Sequence, residues 1–190
     1  MTVNTTSVRP DLVEGQVPDR KADGLRQVQS ERTVRVARAN WLAFLLPAAL
    51  LAGAWGSQLI GGLSPCEMCH WQRWPHYGAA AAAVLASGVG GRARIALIVF
   101  AALLLATSGV IGVMHAGVEY GWWPGFTACS SPVPLTGATA AERLEALFNA
   151  PVVRCDTPQW TLAGISLAGY NAIFSLGGAL AILWLLRRAR

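Results

Sequence analysis

The chain has 190 residues, 54% of them hydrophobic and only 13% charged, and its mean hydropathy is positive. Soluble domains carry about a quarter charged residues, so this composition excludes an ordinary water-soluble globule and predicts a membrane protein. The formal charge of +5 does not indicate nucleic-acid binding, because the basic residues form short blocks beside apolar runs.

Residues 1–39 are polar and include Pro10, Gly15, Pro18 and Gly24. They are expected to form a disordered cytoplasmic tail. No short apolar run with a small-residue cleavage site occurs there, so a cleaved signal peptide is not expected. Residues 40–190 are expected to form the membrane domain, an all-α antiparallel bundle of four transmembrane helices. The spans are read as about 41–63, 71–89, 95–114 and 162–186, with outer loops 64–70 and 115–161.

Three basic blocks set the orientation. Arg26, Arg32, Arg35 and Arg38 precede the first span, Arg92 and Arg94 separate the second and third, and Arg187, Arg188 and Arg190 follow the fourth. The positive-inside rule makes these blocks, and both termini, cytoplasmic. Tryptophans near the span ends and small residues such as Gly109 and Gly112 fit interfacial anchoring and close helix approach.

In the second outer loop, Thr139-Ala-Ala-Glu142 has the form of a capping box. The helix it would start places Ala140, Leu144, Leu147 and Phe148 on one face. That face lies flat on the membrane surface or packs on top of the bundle, and the sequence leaves both open.

The four cysteines carry the chemistry. Cys66 and Cys69 fall in the first outer loop, and Cys129 and Cys155 fall in the second. Topology thus places all four on the non-cytoplasmic side, where disulfides persist. A Cys-x-x-Cys pair at the start of a helix gains from the partial positive charge there, which favours the thiolate that performs exchange. Arg73 lies four residues after Cys69, one turn along the same face. It reads as a cation supporting that thiolate, against the alternative of an arginine snorkelling to headgroups.

Three readings of the cysteines compete. Static disulfides are weakened by the tiny loop that a two-residue gap closes, which removes little chain entropy. A c-type haem is literally matched by Cys66-Glu-Met-Cys69-His70, but it leaves Cys129 and Cys155 without a role. A four-thiolate metal site lacks a second closely spaced pair, so no metal is expected. A redox relay uses all four, and is preferred. The haem-carrying electron-transfer subunit remains the alternative.

The segments 65–75 (PCEMCHWQRWP), 115–129 (HAGVEYGWWPGFTAC) and 155–166 (CDTPQWTLAGIS) resemble the bacterial disulfide bond formation protein B (DsbB) family. The resemblance covers about residues 40–190. The order of the cysteine pairs separates it from the related vitamin K epoxide reductase family. It implies a bacterial inner-membrane thiol:quinone oxidoreductase with a periplasmic DsbA-like thiol oxidase as partner. It further implies that Cys129 and Cys155 form the disulfide that the partner attacks at Cys129. Cys155 then exchanges with Cys66, and Cys69 faces a membrane quinone, ubiquinone in preference to menaquinone. Arg73 and His115 match the quinone-pocket positions. The long tail and His70 depart from the family pattern.

Overall fold

A computed structural model of the chain describes residues 20–125, 127, 139–148 and 153–189. Among these, five helices and one short hairpin occur: α1 (Arg20–Leu59), α2 (Glu67–Gly88), α3 (Gly91–Glu119), α4 (Ala140–Phe148), β1 (Thr161–Leu162), β2 (Ile165–Ser166) and α5 (Leu167–Arg187). Three are long and apolar enough to cross a membrane, over Asp23–Leu59, Gly91–Glu119 and Leu167–Arg187. The second expected span is different in kind. At 22 residues α2 is about 33 Å long, but Glu67, His70, Gln72, Arg73 and His76 make its first half polar.

The helix boundaries correct several expectations. Residues 20–39, expected as unstructured tail, continue α1 as helix. They contain no proline, and Glu31 and Arg35 pair at 2.9 Å one turn apart. Arg35 also donates to the Arg188 carbonyl, tying this extension to the end of α5. Residues 1–19 lie outside the described part. The first helix ends at Leu59 rather than 63, and the third runs on to Glu119, so His115 lies within it.

The fourth helix starts at Leu167 rather than 162, because residues 161–166 form a hairpin instead. Ala163 and Gly164 both have positive φ, at 49° and 77°, the backbone that a two-residue hairpin turn demands. The Tyr120 hydroxyl accepts from the Ser166 N–H at 2.8 Å and donates to the Gly164 carbonyl at 3.1 Å. The hairpin is thereby pinned to the end of α3.

The four long helices pack in the order α1, α2, α3, α5, with α5 returning to α1. Their shared core is built from alanines such as Ala39, Ala43, Ala79, Ala83 and Ala101, with Ile98, Leu105 and Ile182 filling between them. Small side chains let membrane helices approach closely where apolar burial alone gives little drive. Outside, Leu45, Leu85, Phe100, Leu103 and Leu180 are exposed, which suits a lipid-facing surface.

Gly112 shows how tight the packing is. An added Cβ would lie 3.0 Å from both the Ala168 carbonyl oxygen and the Ala172 amide nitrogen of α5. Gly112→Leu must therefore push α3 off α5. It is expected to cost about 1–3 kcal/mol, read as a lowered Tm in detergent; an unchanged Tm would show that the helices yield freely.

α4 forms where the capping box places it. The Thr139 N–H donates to the Glu142 carboxylate at 2.7 Å, and the Glu142 N–H donates back to Thr139 Oγ1 at 3.3 Å. These bonds to Thr139 hold the Glu142 carboxyl below its ordinary range. The cap is thus complete above that range and is lost as pH falls through the lowered value. Protection of the Thr139 amide against hydrogen exchange, taken relative to its intrinsic rate, is expected to fall on that acid side, and Glu142→Gln is expected to remove that change in protection. Leu144 and Phe148 are exposed, so these two do not pack on the helices; the Leu147 side chain lies outside the described part.

Candidate redox site

Pro65 leads an extended strand of chain into α2, and Cys66 is the residue that caps it, with φ −79° and ψ 173°. The sulfur of Cys66 accepts the Cys69 N–H at 3.3 Å. A reactive sulfur therefore does the work usually given to Ser or Asp at a helix start. This is why α2 begins at Glu67, earlier than its apolar run suggests. The Cys66 thiol points at Cys69 Sγ, 2.9 Å away, and both cysteines are free. That hydrogen bond, together with burial, pushes the Cys66 thiol well above the ordinary range. Cys66 is consequently the proton-holding member of the pair, which leaves Cys69 as the electron-rich sulfur.

Cys155 reaches the same place from the opposite loop. It is disulfide-bonded and fully buried, in one cluster with Cys66 and Met68, with Cys69 and Val153 packed against them. Gln159 donates to the Ser64 carbonyl at 2.6 Å, which clamps the segment after Cys155 to the segment before Cys66. Arg154 and Asp156 pair beside it. Cys129 lies outside the described residues.

His115 joins the two loops from below. Its ring hydrogen-bonds the Cys155 backbone, and Nε2 lies 3.6 Å from Cys66 Sγ. Gln72 Nε2 donates to Nδ1 at 2.8 Å, so the ring proton sits on Nε2, facing Cys66 and, at 3.7 Å, Glu119. The site atoms of Cys66, Cys69 and His115 all lie within 4.8 Å of one another. Such a trio could hold a thiophilic metal when reduced; the same closeness serves sulfur exchange.

Arg73 is 8% exposed and does not snorkel. Its guanidinium donates to Gln58 Oε1 at 2.9 Å and to the Ala54 carbonyl at 3.0 Å, and lies 5.4 Å from the Trp55 ring centroid. It thus turns toward α1. A cavity of about 260 Å³ lies there, lined by Leu50, Ala54, Cys66, Cys69, Arg73, His115 and Phe174 among others. Its walls are mostly apolar, with polar groups gathered by the cysteines. The expected site residues Cys66, Cys69, Arg73 and His115 therefore border one space, with Cys155 packed behind Cys66.

The family model "Disulfide bond formation protein DsbB" matches residues 36–185. The chain belongs to the DsbB family. A disulfide bond formation protein B from Marinobacter nauticus is 32% identical over 77% of the chain and 90% of the relative. One from Neisseria meningitidis serogroup A is 30% identical over 80% of the chain and 96% of the relative. An uncharacterised Rickettsia prowazekii protein, RP370, is 22% identical over 72% and 80%. No solved structure matches the chain. Membership of the DsbB family, with three apolar helices of spanning length, makes this a multi-pass membrane oxidoreductase of disulfide formation.

Beyond the site residues that the resemblance implies, the structure brings in Gln58, Gln72, His76, Ser108, Glu119 and Asn171. Of these, Gln72, His76, Glu119 and Asn171 line the cavity. Sequence reasoning passed over them, although a signal was present. Asn171 is a strongly polar residue inside an otherwise apolar helix, and His76 is the last strongly polar residue before the alanine run of α2; such residues within membrane helices face the bundle interior and carry function more often than not.

Proposed function

We propose that this protein reoxidises a periplasmic DsbA-like thiol oxidase and passes the electrons to a membrane quinone. The observation that carries the reading is the burial of disulfide-bonded Cys155 against free Cys66, whose neighbour Cys69 borders the Arg73 cavity. In this reading the four long helices are antiparallel transmembrane spans of the bacterial inner membrane. Both termini are cytoplasmic and all four cysteines periplasmic.

The exchange starts with a Cys129–Cys155 and a Cys66–Cys69 disulfide. A thiolate of the reduced partner attacks Cys129, and Cys155 leaves as thiolate. Cys155 then attacks Cys66, and Cys69 leaves as thiolate beside the cavity. The partner's second thiol closes its own disulfide and frees Cys129. Cys129 recaptures Cys155, which releases Cys66. Each step forms one S–S bond and breaks another. His115 Nε2 lies 3.6 Å from Cys66 Sγ, placed to hydrogen-bond that sulfur when Cys129 recaptures Cys155 and releases it.

The cavity suits a quinone head group. It has apolar walls, a buried permanent cation in Arg73, and a thiol at its edge. Bound there, a quinone, ubiquinone in preference to menaquinone, supplies the acceptor for two electrons and two protons as the Cys66–Cys69 disulfide re-forms. Arg73 binds and orients an acceptor oxygen, and the apolar walls exclude water. The haem alternative is not favoured, because His70 is exposed and does not line the cavity.

The test is quinone-dependent reoxidation of a reduced DsbA-like protein by the purified chain, with each cysteine changed to serine in turn. All four single variants are expected to lose turnover. A strong Soret band in the purified protein, or turnover independent of quinone, would contradict the reading.

A further inference from the structure

Just below the cysteines lies a buried polar network in which His76, Ser108 and Asn171 take no part in the thiol exchange. Its bonds determine where each proton sits. The Ser108 hydroxyl donates its only proton to the Gln72 carbonyl at 2.9 Å. Asn171 Nδ2 donates to Gln72 Oε1 at 2.7 Å and to Ser108 Oγ at 3.1 Å. Asn171 Oδ1 is then an acceptor, taking the Ser175 hydroxyl at 2.9 Å and facing His76 Nε2 at 2.9 Å. Ser108 Oγ, 3.0 Å from the same nitrogen, has no proton left to give.

Two acceptors around Nε2 require that nitrogen to carry the ring proton. Neutral His76 is therefore left with a lone pair on Nδ1. That atom is buried and has no hydrogen-bond partner among the described residues, while His76, 3% exposed, lines the cavity. A buried acceptor without a donor costs stability. His76 is the residue of this kind whose only unpartnered ring atom belongs to a cavity-lining side chain with a fixed tautomer, so a ligand in the cavity that brings a donor would remove that cost.

The chemistry of that donor is narrow. Arg73, three residues earlier on α2, has only N–H groups to offer and suits any ligand oxygen. His76 Nδ1 suits only a ligand that brings a donor, such as an O–H. A quinone ring carries carbonyl acceptors alone, whereas a quinol carries two hydroxyl donors. We propose that His76 accepts a hydrogen bond from a quinol hydroxyl, so that the cavity distinguishes the reduced from the oxidised ring. This rests on the quinone reading above and deepens it. Closing the Cys66–Cys69 disulfide releases two electrons and two protons, which the quinone takes up as two O–H bonds. His76 holds one of these hydroxyls and gains no proton in the net reaction. Asn171 and Ser108 position it by fixing its tautomer.

The test is equilibrium dialysis of the full-length, fully oxidised protein in detergent against a short-chain ubiquinone and, separately, its ubiquinol. His76→Gln keeps a donor near the Nε2 position, and so the tie to Asn171, but places no acceptor where Nδ1 stands. His76→Asn places an amide oxygen near Nδ1 and loses the tie. His76→Gln is expected to weaken ubiquinol binding roughly tenfold and leave ubiquinone within about twofold. His76→Asn is expected to recover part of the ubiquinol affinity. Inhibition of turnover by added ubiquinol is expected to fall in His76→Gln by the same factor. Wild-type binding of both ligands by His76→Gln, or an equal loss of both, would overturn the proposal and leave His76 as a tie between helices. A wild-type chain that binds neither ligand would overturn the quinone reading itself.

Discussion

Cys69→Ser is expected to reduce quinone reduction to the uncatalysed background while leaving the first thiol exchange intact. Cys69 Sγ receives the Cys66 S–H at 2.9 Å and borders the cavity, whereas Cys66 is the buried sulfur that meets Cys155. Serine keeps the volume and a polar atom, so α2 still starts at the same place. What it removes is the leaving thiolate that opens onto the acceptor. A reduced partner protein can still attack the loop disulfide, because that step does not involve Cys69. A single turnover followed by quinone absorbance, with the partner's thiols quantified in parallel, separates the two stages. Retention of quinone reduction would assign the electron-donating sulfur elsewhere.

Arg73→Met is expected to weaken apparent quinone affinity by roughly ten- to a hundredfold, the worth of hydrogen bonds made by a charged donor. The loop disulfide chemistry should be untouched, because Arg73 turns toward α1 and away from the Cys155 cluster. Arg73→Lys is expected to be intermediate. Lysine keeps the charge but lacks the planar fork that reaches Gln58 and the Ala54 carbonyl together. A purely structural tie between α1 and α2 predicts something else: a lowered Tm with unchanged dependence on quinone concentration. Initial rates over a range of quinone concentrations, taken with thermal melts, decide between them.

The sequence made the chemistry more legible than the helix ends. Cysteine spacing, the arginine one turn after Cys69 and the capping box at Thr139 each rest on local rules, and each could be read from a few residues. Four features escaped because they depend on contacts across the chain or on an unusual cap. Residues 20–39 read as tail by their polarity, yet Arg35 reaches the end of α5. α2 starts at Glu67 because a sulfur caps it, and propensity rules do not include a cysteine in that role. Residues 162–166 of the hairpin read as the start of an apolar span, since Ala163-Gly164 is a weaker turn signal than Asn-Gly. His76 and Asn171 lie 95 residues apart, and only the packing of α2 against α5 brings them to 2.9 Å.

The central claim is that Cys155 and Cys66 exchange directly, and one measurement tests it most simply. In a Cys69→Ser, Cys129→Ser chain the only remaining thiols are Cys66 and Cys155, which are buried in one cluster. Mild oxidation in membranes, followed by proteolysis and mass analysis without reduction, is expected to yield a peptide joining Cys66 to Cys155 within one chain. Recovery of both as free thiols, or only as links between chains, would contradict the account.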